Sequence, residues 1–310
     1  MEKQCCSHLL MVRPVCFGFN EQTAESNAFM HEAKVNEKPQ QDAAKNFDAF
    51  VEKLKEFKIS VTVIDDSLEP RTPDSIFPNN WVSFHADGHV VLYPMEAKNR
   101  RAERCVKLLN FIDKSFHVES VIRLEQHENN EKYLEGTGSL VLDRSKKVAY
   151  ACLSSRTHES VIKDWSSHFP DYKIITFNAS DSDGVAIYHT NVMMNIGTDF
   201  SVICSETIRN KEERELVLNS LKESGKPPLE ISLNQMNEFA GNMLQVENKE
   251  GKRFLIMSAR AYRSLETKQI AFLEEITSIL YAELGLIETL GGGSARCMLA
   301  EIHLAPKFSS

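Results

Sequence analysis

One pattern recurs along the sequence and leaves few folds open. A short apolar run, a turn, a second short apolar run, a helix-like segment and a closing apolar run follow one another in that order. The clearest copy begins at 81–84, turns at Asp87-Gly88 and returns at 90–93, which reads as a β-hairpin. A helix is expected over 99–114, with Ala102, Val106, Leu109 and Ile112 at helical spacing, and a strand over 118–124. Further copies start at 139–142 and 148–153, with a helix at 156–168 and a strand at 173–177. The next runs through 192–196, 200–204, a helix at 210–224 and 229–233. The fourth runs through 243–247, 253–257, a helix at 265–283 and 286–289. A fifth is split across the termini: 298–304 pairs with 9–17, followed by a helix at 42–57 and a strand at 59–64. That helix carries Phe47, Phe50, Val51, Leu54 and Phe57 on one face, as a core-facing helix does.

The residues just before the first strand of each copy are Asn80, Gly138, Asn191, Asn242 and Cys297, at separations of 58, 53, 51 and 55 residues. Five ββαβ units of about 62 residues imply a pseudo-fivefold ring. The expectation is one α/β-propeller domain over residues 1–310, its fifth repeat closed by the N- and C-terminal segments. In such a ring the first strands face the axis, so the residues at the five anchor positions converge on one cavity.

A net charge of −8 argues against a general nucleic-acid binder, which normally carries a basic patch. No apolar run approaches the roughly 18–20 residues of a membrane span. The opening MEKQCCSHLLMVRP reads as a mature N-terminus rather than a signal peptide. Seven scattered cysteines, including Cys5, Cys6, Cys16, Cys105 and Cys204, suggest free thiols in a reducing cytoplasm. The polar stretches 31–41 and 125–132 read as loops.

Three residues carry candidate chemistry. Cys297 follows Gly291-Gly292-Gly293-Ser294-Ala295-Arg296, and a thiol after a glycine-rich loop, flanked by an arginine, suits a nucleophile. His189, in Ile187-Tyr188-His189-Thr190-Asn191, suits a general acid and base. Glu135 lies between an apolar pair and the turn Gly136-Thr137-Gly138. Taken singly, each is more often an ordinary buried or capping residue. The fivefold register changes that balance, because it sets the three at the mouths of three different units. His85 and His89 are separated by a turn, which disfavours a shared metal. The glycine motifs lack the remainder of a phosphate loop or dinucleotide fingerprint, and 211–215 reads as a solvated helix face.

From Met11-Val12-Arg13-Pro14 to Gly291-Gly292-Gly293-Ser294-Ala295-Arg296-Cys297-Met298 the sequence resembles the guanidine-modifying superfamily of arginine deiminases, dimethylarginine dimethylaminohydrolases and amidinotransferases. The resemblance implies a five-bladed α/β propeller (pentein). It makes Cys297 the nucleophile, His189 the general acid/base and Glu135 the acid that binds the substrate's terminal nitrogens. Arg156, in Ser154-Ser155-Arg156-Thr157, resembles the arginine that holds an amino-acid α-carboxylate. No metal or organic cofactor is implied. The partner implied is a small molecule, with neither nucleic acid nor membrane, and a homo-oligomer is left open.

Two departures bear on the substrate. Asn80 and Asn191 stand where arginine deiminases usually carry aspartates. Removing those charges leaves a buried guanidinium poorly compensated, whereas an asparagine NH₂ can donate to a neutral ureido carbonyl. The arrangement resembles a citrulline-using branch, a citrulline ureidase giving ornithine, CO₂ and ammonia. Asp74, in Thr72-Pro73-Asp74-Ser75, and Asp65 are close enough in sequence to restore the charge. An arginine or dimethylarginine hydrolase, an amidinotransferase and a non-catalytic amino-acid-binding propeller are the other readings.

Overall fold

The computed structural model describes residues 2–24, 26–27, 29–30, 38–104 and 106–307. The loop expectation over 31–37 and the reading of Cys105 lie outside the described residues. In sequence order the strands are β1 (His8–Arg13), β2 (Ser60–Asp65), β3 (Val82–Phe84), β4 (His89–Leu92), β5 (Ser120–Arg123), β6 (Leu140–Asp143), β7 (Val148–Cys152) and β8 (Lys173–Phe177). They continue with β9 (Met194–Ile196), β10 (Ser201–Ile203), β11 (Pro228–Glu230), β12 (Leu244–Glu247), β13 (Arg253–Ser258), β14 (Ser278–Ala282) and β15 (Ala300–Ile302).

Five three-stranded units result, each with the same topology. The first and second strands pair antiparallel, and the third returns parallel to the second after a helix. A parallel return needs a crossover, which the helical segment supplies. The fifth unit joins the two termini as expected: β15 pairs antiparallel with β1 (His8↔Ile302), and β1 parallel with β2. A parallel bridge from Ile302 to Phe84 then fuses this unit with the first into a six-stranded sheet. Innermost strands touch from unit to unit, β6 against β9 and β9 against β12, while Pro78–Asn80 meets both Gly136–Ser139 and Ala295–Met298.

Local chemistry explains the elements. In the first hairpin Asp87 Oδ1 accepts from the backbone of His89 at 3.2 Å, and Gly88 takes φ +91°. Helix Pro39–Glu56 starts with proline at its first position and buries Phe47, Phe50, Val51 and Leu54. Burying each such group contributes roughly 1.5–3 kcal/mol, and Phe50→Ala is expected to cost about 3–5 kcal/mol.

The fourth unit departs from the sequence expectation. The helix expected over 265–283 ends at Ile276, and the third strand is Ser278–Ala282. The run 286–289 is not a strand but part of helix Gly285–Gly291. Apolar spacing alone cannot separate a short buried helix from a strand. The 99–114 helix is also divided, into a 3₁₀ segment Lys98–Glu103 and helix Val106–Ser115, and 125–130 forms a 3₁₀ turn. Among the described residues no helix is long and apolar enough to cross a membrane.

Candidate active site

The five anchors lie on short turns that lead into the first strands. Asn80 ends the 3₁₀ turn Pro78–Asn80, Gly138 lies in Gly136–Ser139, Asn191 in Thr190–Met193 and Cys297 in Ala295–Met298, while Asn242 follows a hydrogen-bonded turn from Phe239. The Asn191 and Asn242 side chains meet Cys297, and Asn80 and His189 both crowd against Gly138. Gly138 makes this crowding feasible: a Cβ there would lie 2.6 Å from Asn80 Nδ2 and 2.7 Å from His189 Nδ1.

Glu135 and His189 form one hydrogen-bonded pair, His189 Nε2 to Glu135 Oε2 at 2.8 Å, both almost fully buried. Burial disfavours the Glu135 charge, but Arg156, at 3.6 Å, and the bond from His189 outweigh it and hold the carboxyl at about 2. Burial lowers the imidazole despite the opposing pull of Glu135. A neutral imidazole facing a carboxylate carries its proton on Nε2, which leaves Nδ1 as the base, on the side of Gly138 and Asn80.

Cys297 is 4% exposed, and its sulfur receives two amides. Asn242 Nδ2 donates at 3.3 Å and Asn191 Nδ2 at 3.7 Å. The Asn242 amide is turned this way because its Oδ1 accepts the Arg296 backbone N–H at 3.1 Å. Donors aimed at the sulfur stabilise negative charge there. Tyr188 spans the groups: its ring lies 4.9 Å from the Arg156 guanidinium and 4.6 Å from the His189 ring, and its hydroxyl donates to Gly292 O at 2.8 Å. Gly292 sits at φ +62°, where any larger residue would be strained and would collide with Asn27.

The arginine expected to act on the thiol does not face it. Arg296 donates to Leu299 O and Glu301 Oε2, both at 2.7 Å, so its charge is compensated elsewhere. Arg156 lies beside Glu135 and donates to Thr23 O and Ser26 Oγ, at 2.9 and 2.8 Å. Asp74 is buried and accepts from Asn20 Nδ2 and Thr23 Oγ1, at 2.7 and 3.0 Å; burial raises its pKa despite Arg100 nearby. His85 and His89 do not share a ligand: His85 Nε2 lies 2.8 Å from Ser83 Oγ, and His89 faces Asp87.

The sequence reading passed over two residues. Asn242 figured only as a register anchor, although the regular spacing pointed to it. Arg100, within the expected 99–114 helix but not singled out, is 2% exposed: it grips Glu103 with two 2.9 Å bonds and donates from Nη1 to Asn80 Oδ1 at 2.9 Å. The Arg100-x-x-Glu103 spacing was its one signal, and such pairs are usually solvated. Guanidinium nitrogens only donate, so Asn80 must present Oδ1 to Arg100. Its buried Nδ2 is then left without a hydrogen-bond partner, as is Asn191 Oδ1.

Solved structures share this fold. The N-terminal domain of ArgZ, an arginine dihydrolase from the ornithine-ammonia cycle in Cyanobacteria, with substrate bound, superposes with a TM-score of 0.74 at 17% identity, over 96% of the present protein and 99% of that domain. Unliganded AgrE gives 0.74 at 17% identity, over 95% of the present protein and 39% of AgrE. A dimethylarginine dimethylaminohydrolase in an adduct with S-methyl-L-thiocitrulline gives 0.66 at 13% identity, over 97% and 100%. The chain spans about 40% of the length of full ArgZ. No curated protein matches it in sequence. The model of the family described as N,N dimethylarginine dimethylhydrolase, eukaryotic, matches residues 13–304; the protein belongs to that family, and with it to the guanidine-modifying pentein superfamily.

Proposed function

We propose that this protein hydrolyses C–N bonds of the ureido group of an amino acid, with citrulline yielding ornithine, CO₂ and ammonia. The observation that carries the reading is the pair of unsatisfied amide atoms in the site. Asn80 offers a buried donor and Asn191 a buried acceptor, and a ureido group supplies both complements, a carbonyl oxygen and N–H groups. A guanidinium has no acceptor for the Asn80 donor, which would stay unpaired at a cost of about 1–3 kcal/mol.

In this reading the Cys297 thiol gives its proton to His189 Nδ1 and its sulfur attacks the ureido carbon. The C–N bond breaks, its electron pair stays on nitrogen, and the imidazolium returns the proton to the departing amine. Water, deprotonated by His189, attacks the S-linked carbonyl and releases the thiol with a carbamate, which then loses CO₂. Glu135 holds the imidazole and orients a terminal nitrogen. Arg156, with Asp74 nearby, receives the amino-acid end. One domain over 1–310 suffices for this site, and the free cysteines suit the cytoplasm.

A second reading, hydrolysis of arginine or dimethylarginine, is favoured by the family match. Incubation with citrulline, arginine and dimethylarginine, followed by quantification of ornithine, citrulline, ammonia and dimethylamine, separates the two. Ornithine from citrulline supports the proposal; citrulline formed from a guanidine, with citrulline itself inert, overturns it.

A further inference from the structure

We propose that Arg100 is the positioning residue that sets which substrate the site accepts, by fixing the rotation of the Asn80 amide; this rests on the ureido reading above. An asparagine amide can present either its donor or its acceptor to a ligand. The two faces differ only by a half-turn, so selectivity for a carbonyl requires something that forbids the turn.

Arg100 supplies that constraint. Its guanidinium is itself held immobile: Nε and Nη2 engage Glu103, and Nη2 also donates to Phe77 O at 3.2 Å and approaches Asp74 O at 3.5 Å. The remaining nitrogen, Nη1, donates to Asn80 Oδ1. One arginine thus ties three points of the 74–80 segment together. A flipped amide would set N–H against N–H in a buried place, where no water relieves it. With Oδ1 turned to Arg100, Nδ2 is the atom Asn80 turns the other way, and Gly138 brings it beside His189 Nδ1. Arg100 touches neither thiol nor imidazole. Its charge reaches Glu135 and His189 across space, whereas its hold on amide orientation passes through Asn80, and Glu103 acts one step further back.

The role separates from plain structural support by its dependence on substrate and on the residue at position 80. The experiment compares kcat/KM for citrulline and arginine in the parent, Arg100→Lys, Asn80→Asp and the double variant. A lysine at position 100 cannot hold Glu103 and Asn80 in the same fork. Arg100→Lys is expected to lower the citrulline-to-arginine ratio about tenfold, the effect of one hydrogen bond. In the Asn80→Asp background the same change is expected to leave the ratio unaltered, because a carboxylate has no orientation to fix. An equal fall for both substrates, or an undiminished ratio shift in the double variant, overturns the inference. If Arg100→Lys does not fold, Glu103→Gln reads the same dependence with a smaller shift. If the parent turns over arginine and not citrulline, the ureido reading fails by itself. Coupling between positions 100 and 80 is then read on arginine: non-additive losses keep the orienting role, and additive losses remove it.

Discussion

Two clusters in the molecule are made from the same four residue types. One comprises the bonded His189, Glu135 and Arg156, with Cys297 reached through Asn191, two residues beyond His189. The other joins Cys6, His303, Glu301 and Arg296, with Arg144 beside them. In both, a buried histidine bonds a buried glutamate, at 2.8 Å in the first and 3.2 Å in the second. In both, arginine holds the glutamate ionised below the ordinary range and burial lowers the imidazole.

The difference lies in what surrounds each thiol. At Glu301 the guanidinium of Arg296 makes direct contact at 2.7 Å, and Arg144 approaches at 3.7 Å. Burial and the Glu301 charge push the Cys6 thiol well up, and two flanking arginines disfavour a cation there. This cluster joins the termini: Cys6 leads into β1, Glu301 lies on β15 and the Cys6 carbonyl accepts from Glu247. At Cys297, the amides of Asn191 and Asn242 replace charges, Asn191 Oδ1 is unpartnered, and Gly138 leaves no room for a side chain between Asn80 and His189. Residue types alone do not make a reaction centre. The Cys297 sulfur receives amide donors, whereas the Cys6 thiol faces an ion-paired carboxylate.

The comparison breaks most sharply at the cysteines. Cys297→Ser is expected to lower turnover by about 10⁴-fold or more, as loss of a covalent nucleophile does, while Cys6→Ser leaves kcat within about twofold. Steady-state rates on whichever substrate is active check this. Next come the imidazoles. His189→Gln is expected to cost about 10²–10⁴ in kcat. His303→Gln leaves the rate nearly intact and shows instead as a lower melting temperature, by about 1–3 kcal/mol of lost stability. Equal catalytic losses from both would erase the distinction.

Much of this contrast is legible in the sequence. The anchors at 80, 138, 191, 242 and 297 mark turns whose recurrence carries over to the structure, and the register that sets Glu135 and His189 at neighbouring units agrees with their hydrogen bond. What escapes is decided by where individual groups point. Arg296 adjoins the thiol in sequence but turns to Glu301, and Arg100 turns inward to Asn80. Neither direction is encoded in spacing. Helix Gly285–Gly291 escapes because Leu286, Ile287 and Leu290 fit a short strand or a short helix equally well, and tertiary packing chose the helix.

A smaller effect concerns the amides. Asn80→Asp removes the free donor and adds a charge, and is expected to move the citrulline-to-arginine preference toward the guanidine by roughly ten- to a hundredfold. Paired kcat/KM values measure it; no change in the ratio would detach position 80 from selectivity.

The smallest is pH-linked stability. Glu135 titrates near 4.5 when exposed and is held at about 2 in the fold. Its contribution, about 3 kcal/mol, is present above the exposed value and disappears as pH falls through the folded one. The stability gap between the parent and Glu135→Gln, from denaturant unfolding, should therefore narrow as pH falls from about 6 toward 2. A constant gap would mean that Glu135 is not held ionised.

The most direct test follows the sulfur itself. Protein quenched in acid during turnover of citrulline, arginine or dimethylarginine is digested, and the masses of its cysteine peptides are measured. A carbon-centred adduct is expected on Cys297 and absent from Cys297→Ser, with Cys6 unmodified. Turnover that persists without Cys297, or an adduct borne by Cys6, would contradict a covalent mechanism at this site.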